Sequence, residues 1–176
     1  MIKIEKIIGI TLMAFMLLLV LAMFLPIFTH ENISNPILAT DVIFGNKYLF
    51  TLGASAIEAK FDSNWIYLIA YLGPVLPIGL YWYVCYFDNK PIIKYIAYFI
   101  LLASFLVSFV FFLSMYSNTA WIRTDISNAV YVYAKDFGYK IGIGLWMGYV
   151  ISALGALAAM GSLVKVVIED NLVEQK

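Results

Sequence analysis

Residues 141–164 read IGIGLWMGYVISALGALAAMGSLV. The run carries no charge, and at ~1.5 Å per residue it is long enough to cross the ~30 Å hydrocarbon core of a bilayer as a helix. Gly144, Gly148, Ser152 and Ala156 recur every four residues, so the four small side chains share one stripe of that helix. In lipid, where burying apolar surface gains nothing, such a stripe lets a second backbone come close enough for van der Waals contact to hold the pair. The spacing therefore predicts a membrane helix on which the other helices pack, or through which a partner protein docks. One small face serves one close neighbour, and internal packing is the reading preferred here.

Composition extends this reading to the whole chain. It has 176 residues, 64% of them hydrophobic, and a mean hydropathy of +0.91. Soluble proteins sit near roughly 45–50% apolar. Eleven basic residues balance eleven acidic ones, which gives no whole-chain attraction to nucleic acid. A single cysteine, Cys85, excludes an internal disulfide and a thiolate metal cage.

Working outward from the last run, three further apolar stretches cover about residues 7–28, 65–87 and 92–115. The first follows a short basic lead, as in a signal peptide. It is longer than the ~7–15-residue core of such a leader and no small-x-small cleavage site follows, so an uncleaved first span is expected. The second carries Trp65, Tyr67 and Tyr71 at one end and Tyr81, Trp82, Tyr83 and Tyr86 at the other, the pattern of an aromatic belt. Gly73, Pro74 and Pro77 interrupt its middle. Each proline removes an N–H and crowds the carbonyl four residues earlier, which predicts a kink or short break. The third run follows the turn residues Asp88 to Pro91.

Two longer polar segments, 29–64 and 116–140, separate the spans. In the first, Asp41 to Phe44 and Lys47 to Leu52 flank Gly45-Asn46, which predicts a hairpin. Residues 51–60 are assigned to a short helix leading to the membrane surface. In the second, the alternation Ala129-Val-Tyr-Val-Tyr-Ala134 predicts a strand partnering that hairpin.

Lys3, Lys6, Lys90, Lys94, Lys165 and Lys176 lie in short segments close to span ends, whereas Lys47, Lys60, Arg123, Lys135 and Lys140 are spread over the two long loops. The positive-inside rule weighs cations near span ends, so both termini are expected in the cytoplasm and both loops outside.

Candidate chemistry is sparse. The span interiors lack Asp, Glu, Arg and His, the usual marks of an ion path or proton relay. The one histidine, His30, cannot supply a bis-histidine haem, and a zinc site would need Glu31 and remote acids; a solvated loop histidine is the simpler reading. No G-x-S-x-G, H-E-x-x-H or phosphate loop is present, so neither enzymatic activity nor a cofactor is expected. The break at Gly73, Pro74 and Pro77 reads either as a substrate-holding discontinuous helix or as a kink satisfied by its neighbours; the absence of an internal repeat favours the second. Trp121, Arg123 and Asp125 form the most ligand-like cluster of the loops, set against an interfacial tryptophan with solvated charges. Asn32-Ile-Ser34 matches the glycosylation pattern.

Four spans, a long first external loop with β character and a shorter second loop resemble the layout of claudin-like tetraspan proteins. The Trp…Gly-Leu-Trp…Cys…Cys signature of their first loop is absent, and no functional residue is carried over. The expected fold is an all-α, single-domain membrane protein over 1–176: a four-transmembrane-helix bundle with a small external β-element from the two long loops. The expected function is a non-enzymatic structural or accessory subunit of the cell membrane, whose partners are the lipid bilayer and other membrane subunits or itself. A small channel or transporter subunit using the broken helix, and an external-loop recognition module, are the alternatives.

Overall fold

The computed structural model describes residues 4–30, 33–52, 55–86, 91–123 and 130–174. Side chains are described over 6–30, 36–47, 60–85, 92–119, 133–136 and 138–168.

The chain is mostly helical, with small sheets. In order it forms α1 (Ile4–Ala22), β1 (Pro26–His30), β2 (Ile33–Leu38), α2 (Ala39–Phe44), β3 (Asn46–Leu52) and β4 (Ser55–Phe61). A 3-10 turn (Trp65–Tyr67) then leads into α3 (Leu68–Leu72) and α4 (Val75–Tyr86), followed by α5 (Pro91–Asn118). The rest comprises β5 (Ala120–Arg123), β6 (Val130–Tyr133), a second 3-10 turn (Ala134–Phe137), β7 (Lys140–Ile141) and α6 (Ile143–Glu174).

Among the described residues, three helices are long and apolar enough to cross a membrane: Trp65–Cys85, Ile92–Asn118 and Ile143–Ile168. The first of these is interrupted. Gly73 N–H still bonds Ile69 O at 2.8 Å, α3 stops at Leu72, and α4 restarts at Val75. The prolines explain the break: neither Pro74 nor Pro77 has an N–H to donate to the carbonyl four residues before it.

The first apolar run is helical over a shorter length than the sequence suggests. A helix to residue 28 was expected; α1 ends at Ala22, and its last turn tightens into i→i+3 bonds such as Leu25 N–H to Ala22 O at 3.2 Å. Pro26 disfavours a helical Leu25. Beyond it, Phe28 and Thr29 pair with Ile141 and Lys140 of β7, so the chain leaves α1 directly into a sheet of order β2-β1-β7.

The first loop differs from expectation in two places, for one reason. Asp41 to Phe44 is helix rather than hairpin strand, because the Asp41 carboxylate reaches back to accept the Leu38 N–H at 2.8 Å, the return half of a capping box. Gly45, at φ +81°, ends that helix instead of making a hairpin turn. The strand β3 therefore pairs with residues 55–61, which form β4 and not the short helix expected over 51–60. The alternating Val/Tyr segment does form a strand, β6. It joins the first loop's hairpin through β5, in a sheet of order β3-β4-β5-β6.

Among the described residues every strand lies in the connection from α1 to α3 or from α5 to α6, and β4 pairs with β5 across the two. Both sheets therefore belong to one end of the helix bundle.

Candidate functional site

The interior is built where α6 meets α5 and α1, and small residues set the spacing. Phe105 and Phe112 lie two turns apart on one face of α5 and are fully buried. A Cβ on Gly148 would stand 2.7 Å from Phe112 Cε1, and one on Gly155 would overlap the Phe105 ring. Each ring thus occupies a notch that only glycine leaves open. Toward its start, α6 meets backbone instead of rings: a Cβ on Gly144 would stand 2.8 Å from Leu25 O, and one on Gly142 would collide with the Pro26 carbonyl. Gly142 N–H bonds Ile27 O at 2.7 Å and ties the start of α6 to β1.

All four residues of the sequence stripe face inward. Gly144 lies against the α1–β1 corner and Gly148 against Phe112, while Ser152 is fully buried and donates to Gly148 O at 2.6 Å. Ala156 is buried as well. The stripe therefore meets two neighbours, the α1–β1 corner and α5. Gly142 and Gly155 were not singled out by spacing, since neither falls on the four-residue repeat.

Tyr71, at the end of α3 beside the break, is fully buried with its ring edge-on to Phe112, centroids 4.8 Å apart and planes at 87°. Below the break, Val75, Ile78 and Gly79 of α4 face Met13 and Met16 of α1 across a cleft of about 370 Å³, with Trp82 at one end. Its lining is almost wholly apolar.

At the sheet-bearing end an aromatic corner ties the two loops together. Phe28 of β1 packs on Tyr116 and Tyr139, and Tyr116 Oη donates to Tyr139 O at 3.3 Å. His30, half-buried, stacks edge-on against Tyr139, centroids 5.2 Å apart. Burial pushes the Tyr139 phenol up from its ordinary 10.0. Among the described residues no three His, Cys, Asp or Glu side chains come together.

Of the candidate recognition residues, Trp121 and Arg123 lie on β5, where Trp121 is opposite Phe61 and Val132, and Arg123 is opposite Ala59 and Val130. Their backbone alone is described. Asp125 and the candidate glycosylation residue Asn32 lie outside the described residues.

No protein-family model matches the chain, and neither the curated proteins nor the solved structures contain a match to it.

Proposed function

We propose that the chain is a non-enzymatic structural or accessory subunit of a membrane, a four-span bundle that packs into a larger complex or against copies of itself. The observation that carries this reading is the ring-in-notch seam. Phe105 and Phe112 fill the space between α5 and α6, while the outer faces of those helices present Phe99, Val110, Trp146, Leu157 and Met160 to their surroundings. A filled α5–α6 seam and a broad apolar exterior suit a part whose work is done by its outer faces.

The fourth span of this reading is α1. Its apolar part, Lys6–Ala22, covers ~26 Å at ~1.5 Å per residue. A short span is accommodated by local thinning of the bilayer. With four spans both termini lie on one side, the cytoplasmic one by the lysine distribution, and the sheets lie outside. The break at Gly73 and Pro74 supplies the runner-up, a transporter subunit, but the cleft beside it offers Met13, Met16, Val75 and Ile78 rather than polar ligands for a solute.

Purification in mild detergent followed by native mass spectrometry tests the reading. A stoichiometric assembly, with itself or with a second membrane protein, is the expected result. A lone monomer that carries ion or solute flux in liposomes overturns it in favour of the transporter.

A further inference from the structure

Among the described residues the two sheets end on four edge strands, β2 and β7 in one and β3 and β6 in the other. An edge strand presents a row of N–H and C=O groups, and proteins blunt such edges to stop sheets joining. Three of these four are blunted. β7 has two residues and β6 has four, too few to template a long partner. β2 carries Pro36, which has no N–H to donate, and its register with β1 shifts on either side of Phe28.

β3 has none of these devices. It runs for seven residues, Asn46 to Leu52, without proline. It pairs with β4 at every position from Asn46↔Phe61 to Leu52↔Ser55, with no bulge to twist the edge away. A strand alternates its hydrogen-bonding groups between two sides, so full pairing with β4 uses only one of them. The sole charge on the strand, Lys47, stands near the end next to α2. Beyond it, Tyr48-Leu-Phe-Thr-Leu52 is uncharged and rich in residues that favour strands. A long, regular, apolar edge is a template for uncontrolled pairing unless the working molecule covers it.

We propose that β3 of a second copy of this chain covers it, antiparallel about a two-fold axis at Phe50, so that two four-stranded sheets merge into one. In this register Phe50 stands opposite Phe50, Leu49 opposite Thr51 and Tyr48 opposite Leu52, while Lys47 of each copy falls outside the uncharged run. Aromatic residues directly opposite one another stabilise an antiparallel pair, and no like charges meet. A two-fold contact uses the same patch on both copies, so the one unblunted edge meets another of equal length and equal lack of charge. This inference rests on the subunit reading above and deepens it, naming a second copy as the partner and the sheet edge as the contact.

The test uses the full chain in mild detergent, with Cys85→Ser removing the native thiol. In that background Phe50→Cys gives a disulfide-linked dimer under copper–phenanthroline oxidation. Tyr48→Cys alone does not, because its two copies stand four positions apart, ~14 Å along the strand. Mixed with Leu52→Cys copies, it links. Phe50→Lys sets two cations opposite each other and weakens self-association about tenfold, and mixing it with Phe50→Glu copies restores the dimer. The cysteine pattern decides the matter even where Phe50→Lys unfolds the hairpin. A parent dimer whose Phe50→Cys copies stay unlinked, or whose Tyr48→Cys copies link alone, overturns the inference and leaves the subunit reading standing. A parent that binds a different protein and no copy of itself does the same. A parent that is a lone monomer overturns both.

Discussion

The two sides of the helix bundle use glycine in opposite ways. On the α5–α6 side, Gly148 and Gly155 are notches filled by the rings of Phe112 and Phe105. On the α1–α4 side, a Cβ on Gly79 would meet nothing within 4 Å, and the helices leave the cleft of about 370 Å³ beside it. One contact does resemble the seam there: a Cβ on Gly9 would stand 2.9 Å from Trp82 Cζ2. Close packing and loose packing thus coexist in one small bundle. α3, above the break, packs Tyr71 onto the tight side through Phe112, whereas α4, below it, lines the cleft. The lesson is that a glycine in an apolar helix marks an interface only where a partner atom fills its empty face.

That contrast is tested most severely at Gly142, where the partner is backbone and cannot rotate away. Gly142→Ala drives a Cβ into the Pro26 carbonyl and disturbs the hydrogen bond to Ile27 O. Overpacking and a disrupted buried hydrogen bond together cost about 3–4 kcal/mol. Thermal unfolding in detergent should show the largest loss of any single glycine substitution, and a parent-like melting temperature would break the tight side of the comparison.

Gly148→Ile comes next. Its side chain competes with Phe112 for one volume, and the ring has limited freedom because Tyr71 flanks it. A loss of about 2–3 kcal/mol is expected, seen as a lower melting temperature and a heterogeneous oligomer profile. Gly148→Ala, which adds a single methyl instead of a branched chain, should cost less. Equal melting temperatures for Gly148→Ile and the parent would remove the seam from the account.

Much of this architecture was legible in the sequence, for a physical reason. Long uncharged runs have few alternatives to long apolar helices, and Pro74 falls in the gap between α3 and α4 while Pro77 is tolerated in the first turn of α4. The alternation of Val130 to Tyr133 is a local signal as well. What stayed hidden depends on long-range partners. Pairing with Lys140–Ile141 turns residues after Pro26 into strand rather than helix, and no neighbour in sequence announces it. The Asp41 carboxylate decides between helix and strand through one bond to Leu38 N–H, a choice that β propensity at Val42 and Ile43 conceals. Gly155 carries as tight a contact as Gly148, yet a four-residue repeat finds only the second.

The aromatic corner adds a test of how firmly the two loops are joined. Burial raises the Tyr139 phenol above its ordinary 10.0, so the folded chain keeps that proton after the unfolded chain has released it. Between those two values the unfolded state binds fewer protons, and stability falls as pH rises. The contribution is intact below pH 10 and declines above it. Melting temperatures measured on either side of pH 10 should drop more steeply for the parent than for Tyr139→Phe. Parallel curves would mean that the Tyr139 ring is wetter than its buried position implies.

The smallest effect should also have the opposite sign. Gly79→Ala places a methyl where no atom lies within 4 Å, so no clash offsets the gain from replacing a helical glycine. That gain is about 0.5–1 kcal/mol. The methyl also points into the open cleft between α1 and α4 and displaces nothing there. A slightly higher melting temperature is therefore expected from the same chemical change that, at Gly142, should be the most damaging in the molecule. A clear loss at Gly79 would mean that α1 and α4 close further than the cleft suggests, and the difference between the two sides of the bundle would shrink to one of degree.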